Sequence, residues 1–258
     1  MASLRSADMK GFSQLPVRRI SGRASDLLDR GAWPATLAPV RQILEDGLDL
    51  GSLTILVGEN GTGKSTIVEA IAMAYGLPAE GGSTGARHAT FASESPLHDA
   101  LVLERGAGAS RWGYFLRAET THGLFTYLHE HPSTSRYHAD PVFHALSHGE
   151  SFLAILGTSR FRGDGFFVMD EPEAGLSFSA QLALVGQLHS LAAANRAQVL
   201  IATHSPVLAA IPGARLLELD ETGIAEREWD DLEAVGNYRR FLEAPARYLR
   251  HVVDDVGG

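Results

Sequence analysis

The chain has 258 residues, 45% of them apolar, and a net charge of −9, enough to bury the core of one large α/β domain or of a domain with a small lobe. The absence of cysteine excludes disulfides, thiolate metal sites and cysteine nucleophiles, and makes a reducing compartment, the cytoplasm, the expected location. The acidic balance opposes broad non-specific binding to nucleic acid or anionic membrane, though a local basic patch is compatible with it, and no apolar run approaches the ~18 residues of a membrane span.

Residues 1–30 carry arginine and serine without the apolar core of a secretory signal, and read as a plain N-terminal arm. Trp33, in Gly31-Ala32-Trp33-Pro34, is the nearest aromatic upstream of the most informative stretch. That stretch, fed by Leu48 to Val57, begins with the apolar run Leu53–Val57, which reads as a strand, and continues through Gly58-Glu59-Asn60-Gly61-Thr62-Gly63-Lys64-Ser65-Thr66 into a helical pattern from Ile67 to Tyr75. Glycines at 58, 61 and 63 permit backbone N–H groups to turn inward around a phosphate chain. Lys64 adds a point charge, Ser65 offers a hydroxyl to Mg²⁺, and the helix aims its positive end at the same place. The spacing G-x-x-x-x-G-K-S between strand and helix is a P-loop, or Walker A motif. Lys64 is expected to face the surface.

Gly76 and Pro78 stop the helix. Leu101–Arg105 and Trp112–Arg117, separated by Gly106–Ser110, predict a hairpin. Trp112, Tyr114 and Phe115 beside Arg111 and Arg117 could form a stacking platform for nucleic acid, but aromatics are ordinary strand formers and that reading is preferred. Six of the eleven histidines fall between 122 and 148, at 122, 129, 131, 138, 144 and 148. No carboxylate stands at a recognisable ligand spacing among them, so an irregular solvated segment is preferred to a metal site. Neither an internal repeat nor a heptad run long enough for a coiled coil occurs.

Ala145–Ser151 leads into the apolar Phe152–Leu156, placing Ser147 and Gly149 at a helix start where free N–H groups could receive a second phosphate. Gly165–Met169 reads as a buried strand whose end carries Asp170 and Glu171. Asp170 suits Mg²⁺ and Glu171 suits a base for an attacking water. A helix with Leu184, Val185, Leu188, Leu191 and Ala192 on one face follows. Val199–Ala202 is a further buried strand ending in Thr203-His204-Ser205-Pro206. Arg215–Leu219 and Ile224–Trp229 flank a hairpin turn, and Tyr238–Val253 is helical with Pro245 interrupting it.

The order GENGTGKST, LSHGE, FFVMDEPEAGLS and ATHSP, over about residues 50–212, resembles the ATP-binding-cassette ATPases. Among them it is most similar to compact bacterial AAA-family ATPases related to the RecF and SMC heads. The resemblance implies a single α/β domain over 1–258, with a mainly parallel central sheet, an antiparallel β portion, a small helical lobe at about 120–160 and a C-terminal hairpin plus helix at about 214–253. It implies Mg²⁺-dependent ATP hydrolysis by a soluble motor or switch, in DNA maintenance or defence, in which two chains sandwich two ATP molecules. Carried over, Gly58 to Thr66 cradle phosphate, Lys64 and Ser65 serve phosphate and Mg²⁺, Asp170 is the Walker B acid, Glu171 the base and His204 the switch histidine, while Ser147 and Gly149 act in trans. Three departures stand out: His148 and Glu150 in the signature, Ser177 where many relatives have aspartate, and no glutamine between Gln42 and Gln181. Glu119 is the positional substitute for the missing Q-loop residue, with a metal-facing role, and Trp33 the candidate for stacking on adenine. The alternatives are the ATP-binding subunit of a membrane transporter and a non-hydrolysing nucleotide switch.

Overall fold

The computed structural model describes residues 14–24, 28–84, 95–130, 140–146, 148–193 and 197–253. Its frame is a seven-stranded sheet built on β3 (Leu53–Val57), β7 (Gly165–Asp170) and β8 (Ala197–Thr203), which lie parallel with β8 in the middle. Parallel β6 (Gly113–Arg117) and the two-residue β4 (Gly82–Ser83) extend one side, while β9 (Arg215–Asp220) and antiparallel β10 (Gly223–Arg227) extend the other. A second sheet of three short antiparallel strands comprises β1 (Arg19–Gly22), β2 (Leu48–Asp49) and β5 (Leu101–Glu104). This is the α/β architecture that the motif order implies, with its antiparallel portion set apart from the parallel sheet.

The central strands are apolar at nearly every position because both faces of the sheet are covered. Side chains alternate along a strand. On one face Leu56, Phe166, Val168, Leu200 and Ala202 pack with α1 (Ala38–Asp46), α2 (Lys64–Tyr75) and the small sheet. On the other, Ile55, Val57, Phe167, Met169, Val199 and Ile201 pack with α3 (Thr121–Glu130), α4 (His148–Leu156) and α5 (Phe178–Ala193), through Phe125, Phe152, Leu184 and Leu188. The short α6 (Pro206–Ala209) follows β8, and α7 (Glu233–Glu243) and α8 (Pro245–Val253) end the described chain. Gln198 is a polar pin in this apolar setting, since its amide exchanges hydrogen bonds with both the N–H and the C=O of Val17 at 2.8 and 2.7 Å.

Two local expectations, the hairpin and the start of the last helical region, are corrected. Leu101–Arg105 and Trp112–Arg117 are not a hairpin, because β5 pairs with β1 in the small sheet and β6 with β7 in the large one. Tyr114 and Phe115 in β6 are buried, which is why their aromatic run belongs to the core and offers no platform. The strand before the glycine loop is Leu53–Val57, as read, and Gly51 and Ser52 separate it from β2, the Gly51 N–H turning to Thr54 Oγ1 at 3.0 Å. The last helical region starts at Glu233, ahead of Tyr238, where the Glu233 N–H is capped by Glu218 Oε1 at 2.8 Å.

Candidate functional site

The loop from Gly58 to Gly63 joins the C-terminal end of β3 to the N-terminus of α2. Gly63 takes φ 94° as it enters the helix, and a Cβ there would stand 2.9 Å from Leu37 Cδ1. At Gly58 the constraint is space, because a Cβ would meet the Leu219 carbonyl oxygen at 2.4 Å. Lys64 does not face the surface as expected. It is 4% exposed, and its ammonium donates to the carbonyls of Gly58 and Glu59, each at 2.7 Å. Burial lowers its pKa, opposed by Glu171, Asp170, Glu173 and Glu59. The lysine is thus folded along its own loop, at the focus of several carboxylates.

Ser65, at the start of α2, donates from Oγ to Asp170 Oδ1 at 2.9 Å, which brings the P-loop and the acid at the end of β7 into direct contact. Asp170 Oδ2 faces Arg117 Nε at 3.4 Å, because Arg117 is opposite Asp170 in the β6–β7 register. Arg117 is further paired with Glu69 on α2 and reaches Glu119 at 3.5 Å. Burial pushes the Asp170 carboxyl up to about 6, with Glu171 and Glu119 adding to the rise and Ser65 and Arg117 opposing it. A carboxyl that holds its proton more tightly folded than unfolded stabilises the fold below its ordinary pKa and loses that contribution as pH rises through the folded value. In metal-free buffer, wild-type stability relative to Asp170→Asn is therefore expected to fall by on the order of 3 kcal/mol between about pH 4 and pH 6.5. Urea denaturation checks this, and parallel pH curves for the two proteins would contradict it.

Glu171 follows with φ 49°, a left-handed conformation that costs a residue with a side chain on the order of 1–2 kcal/mol and must be held by its surroundings. Its N–H donates to Ala202 O at 2.9 Å, continuing the β7–β8 pairing past the strand end. His204 Nδ1 lies 3.5 Å from Glu171 Oε1 and 3.8 Å from Glu173 Oε1. The apolar strands β7 and β8 thus end side by side, and the acids and the histidine are where those strands leave the core.

The P-loop opens on two clefts. One, of about 860 Å³, is lined by Gly58 to Thr62, His204, Leu37, Asp220 and Tyr238. The other, of about 370 Å³, is lined by Ser65, Thr66, Trp33, Arg117, Glu119 and Thr120. Trp33 and Glu119 are therefore brought to the Ser65 side, and His204 to the side of Gly58 to Thr62. Trp33 is 59% exposed. Gly149, on the first turn of α4, abuts Leu176, whose Cδ2 a Cβ would meet at 2.8 Å. Ser177 caps α5 by accepting the Ala180 N–H at 3.3 Å. Ser147 lies outside the described residues, as do His131 and His138, and the described residues contain no group of three His, Cys, Asp or Glu side chains able to hold a metal.

Glu69 and Glu173 carry no signal singled out from the sequence, and Arg117 is named there only beside the aromatic run and not as a partner of Asp170. The signal for Arg117 was its place at the end of a strand just before Glu119, where an uncharged glutamine is missing. Glu173 could have been noticed as a third carboxylate in Asp170-Glu171-Pro172-Glu173.

Residues 142–210 match the profile of a family described as "AAA domain, putative AbiEii toxin, Type IV TA system", and residues 43–105 one described as "AAA domain". The chain is 28% identical over 159 residues to the zinc import ATP-binding protein ZnuC of Vibrio cholerae, covering 61% of this chain and 58% of that one. It is 28% identical over 250 residues to the aliphatic sulfonates import ATP-binding protein SsuB 2 of Mesorhizobium japonicum, covering 94% of each. Among solved structures, one described as "an inward-facing conformation of a putative metal-chelate type ABC transporter" aligns with a TM-score of 0.43 and 18% identity, over 72% of this chain and 76% of that one. The SMC head domain from Thermotoga maritima aligns with a TM-score of 0.42 and 15% identity, over 70% and 93%.

Proposed function

We propose that this chain, an ATP-binding-cassette-type P-loop ATPase domain in its fold and motif order, binds ATP together with Mg²⁺, hydrolyses it, and dimerises around it in the cytoplasm. The observation that carries the reading is the 2.9 Å bond from Ser65 to Asp170, which seats the phosphate loop against an acid pair whose second member, Glu171, adjoins His204.

The oxygen donors fit Mg²⁺. A serine hydroxyl and one carboxylate in contact are the sparse hard set that this ion accepts beside substrate phosphate oxygens and water. Ser65 and Asp170 would hold it, with Glu119 at the edge of the same cleft, and when bound it would neutralise charge on the β and γ phosphates. Lys64 leaves the carbonyls of Gly58 and Glu59 to donate to those phosphates, and the loop N–H groups hold them in place. Glu171 accepts a proton from water as the water oxygen bonds to the γ phosphorus and the bond to the ADP oxygen breaks. His204 orients the γ phosphate from the adjoining turn, and Trp33 is assigned to the adenine face. Ser147 and Gly149 of a second copy would complete each site, because one chain carries two separate phosphate-receiving segments. The tests are the hydrolysis and assembly measurements set out in the Discussion.

The relatives named as import ATP-binding proteins favour a second reading, the ATP-binding subunit of a membrane transporter. Against it, the end of β6 carries Arg117 and Glu119 where transporters present a glutamine to the membrane partner. Among the described residues no helix is long and apolar enough to cross a membrane. Recovery of the protein in complex with a membrane-spanning protein would favour this reading.

A further inference from the structure

We infer that Glu173 is a positioning residue whose buried carboxylate fastens the turn carrying His204 to the turn carrying Asp170 and Glu171, so that base and histidine are held in one frame. What the frame serves rests on the ATPase reading above; the frame itself rests on geometry.

The histidine does not place itself. Its side chain is 49% exposed and faces Glu171 and Glu173 at 3.5 and 3.8 Å, distances too long to fix a ring. Its backbone is held instead by Glu173 Oε1, which accepts from the Thr203 hydroxyl, from the His204 N–H at 3.1 Å and from the Ser205 N–H at 3.2 Å. Three donors converging on one oxygen suit an ionised acceptor, since bonds to a charged group are about twice as strong as neutral ones. Glu173 is buried, and its other oxygen, Oε2, finds no hydrogen-bond partner among the described residues. Leaving half of a buried carboxylate unsatisfied is costly. A residue needed only to fill this space could be apolar, so the carboxylate is explained by what Oε1 holds.

A second tie closes the frame. Ser205 Oγ donates to Gln181 Oε1 at 2.7 Å, and Gln181 Nε2 donates to Leu176 O at 3.2 Å, so α5 links the histidine turn back to the turn that follows Glu171. Within that turn, Ala174 N donates to Glu171 O at 3.0 Å. The left-handed backbone of Glu171 is thus embedded in a ring of bonds to which the side chains of Glu173 and Gln181 both contribute, Glu173 at the His204 amide itself.

The test combines amide hydrogen exchange with steady-state ATP hydrolysis on the full chain. In Glu173→Ala, exchange at the His204 amide is expected to rise about ten-fold or more and at Ser205, whose N–H also donates to Thr203 Oγ1 at 2.9 Å, by less, while the β8 amides at Val199 to Ile201 stay protected. The kcat should fall about 10- to 100-fold, as a small misplacement of catalytic groups produces, with KM within about three-fold and no further loss in a His204→Ala background. Glu173→Gln keeps an acceptor oxygen and should recover most of the activity. Unchanged exchange at His204 would overturn the clamp. A kcat loss that adds in full to His204→Ala, or a loss confined to KM, would overturn the positioning role. If Glu173→Ala does not fold, Glu173→Asp, which withdraws the carboxylate by one methylene, carries the same expectations. No hydrolysis by the wild-type chain would sink the ATPase reading alone, because the exchange result still decides the clamp.

Discussion

Glu171→Gln is expected to slow ATP hydrolysis by roughly 10² to 10⁴, the usual worth of a positioned general base, with ATP affinity changed by no more than about three-fold. The substitution keeps side-chain size and removes the proton acceptor. Glu171 is partly exposed and makes its backbone bond through its own N–H to Ala202, which the change leaves intact. Its left-handed backbone is imposed by the 170–174 turn and does not depend on the carboxylate charge. Phosphate release and equilibrium nucleotide binding, measured on the same preparation, separate chemistry from affinity. Turnover within about three-fold of wild type would place the base elsewhere.

The second large effect is expected at Lys64. Each charge-assisted bond from its ammonium to a phosphate oxygen contributes about 1.5–3 kcal/mol, so Lys64→Ala should weaken ATP binding by roughly 10²-fold or more. Because Lys64 is buried, the variant also leaves the carbonyls of Gly58 and Glu59 without their donor. Those two loop residues are partly or fully exposed, so water can replace the donor and the cost to the fold should stay at or below about 1 kcal/mol. Calorimetric titration with Mg-ATP beside a thermal melt distinguishes the two. Unchanged affinity would contradict the assignment of Lys64 to phosphate, and collapse of the fold would show that its role in the free protein is structural.

Much of this site could be read before any coordinates. The glycine spacing around Lys64, the apolar run ending in Asp170-Glu171 and the run ending in His204 are each local patterns, and β3, β7 and β8 are where those patterns put strands. That the three ends meet follows from a parallel sheet, in which all strands deliver their C-terminal residues to one edge. Sheet membership was not readable, because β5 and β6 have equally good strand sequences and only tertiary packing sends one to the small sheet and the other beside β7. Arg117 was hidden for the same reason: its contact with Asp170 is a cross-strand neighbour relation, and nothing within residues 113–117 announces it. Glu173 and the Thr203–Ser205 turn are 30 residues apart in sequence, and their bonds exist only once β7 and β8 lie together. Lys64 reads as a surface charge in the sequence, because a glycine-rich loop says nothing of how the lysine side chain folds back onto the loop carbonyls.

The claim that ATP is both substrate and the joint between two copies is tested most directly by light scattering on Glu171→Gln with Mg-ATP and with Mg-ADP. Mg-ATP should raise the mass from monomer to dimer and Mg-ADP should not, since the γ phosphate bound by one chain's P-loop is what the other chain's Ser147 and Gly149 would receive. Adding Ser147→Arg to Glu171→Gln should return the protein to monomer in Mg-ATP. A monomer in saturating Mg-ATP, or a dimer indifferent to nucleotide and to Ser147→Arg, would contradict the account.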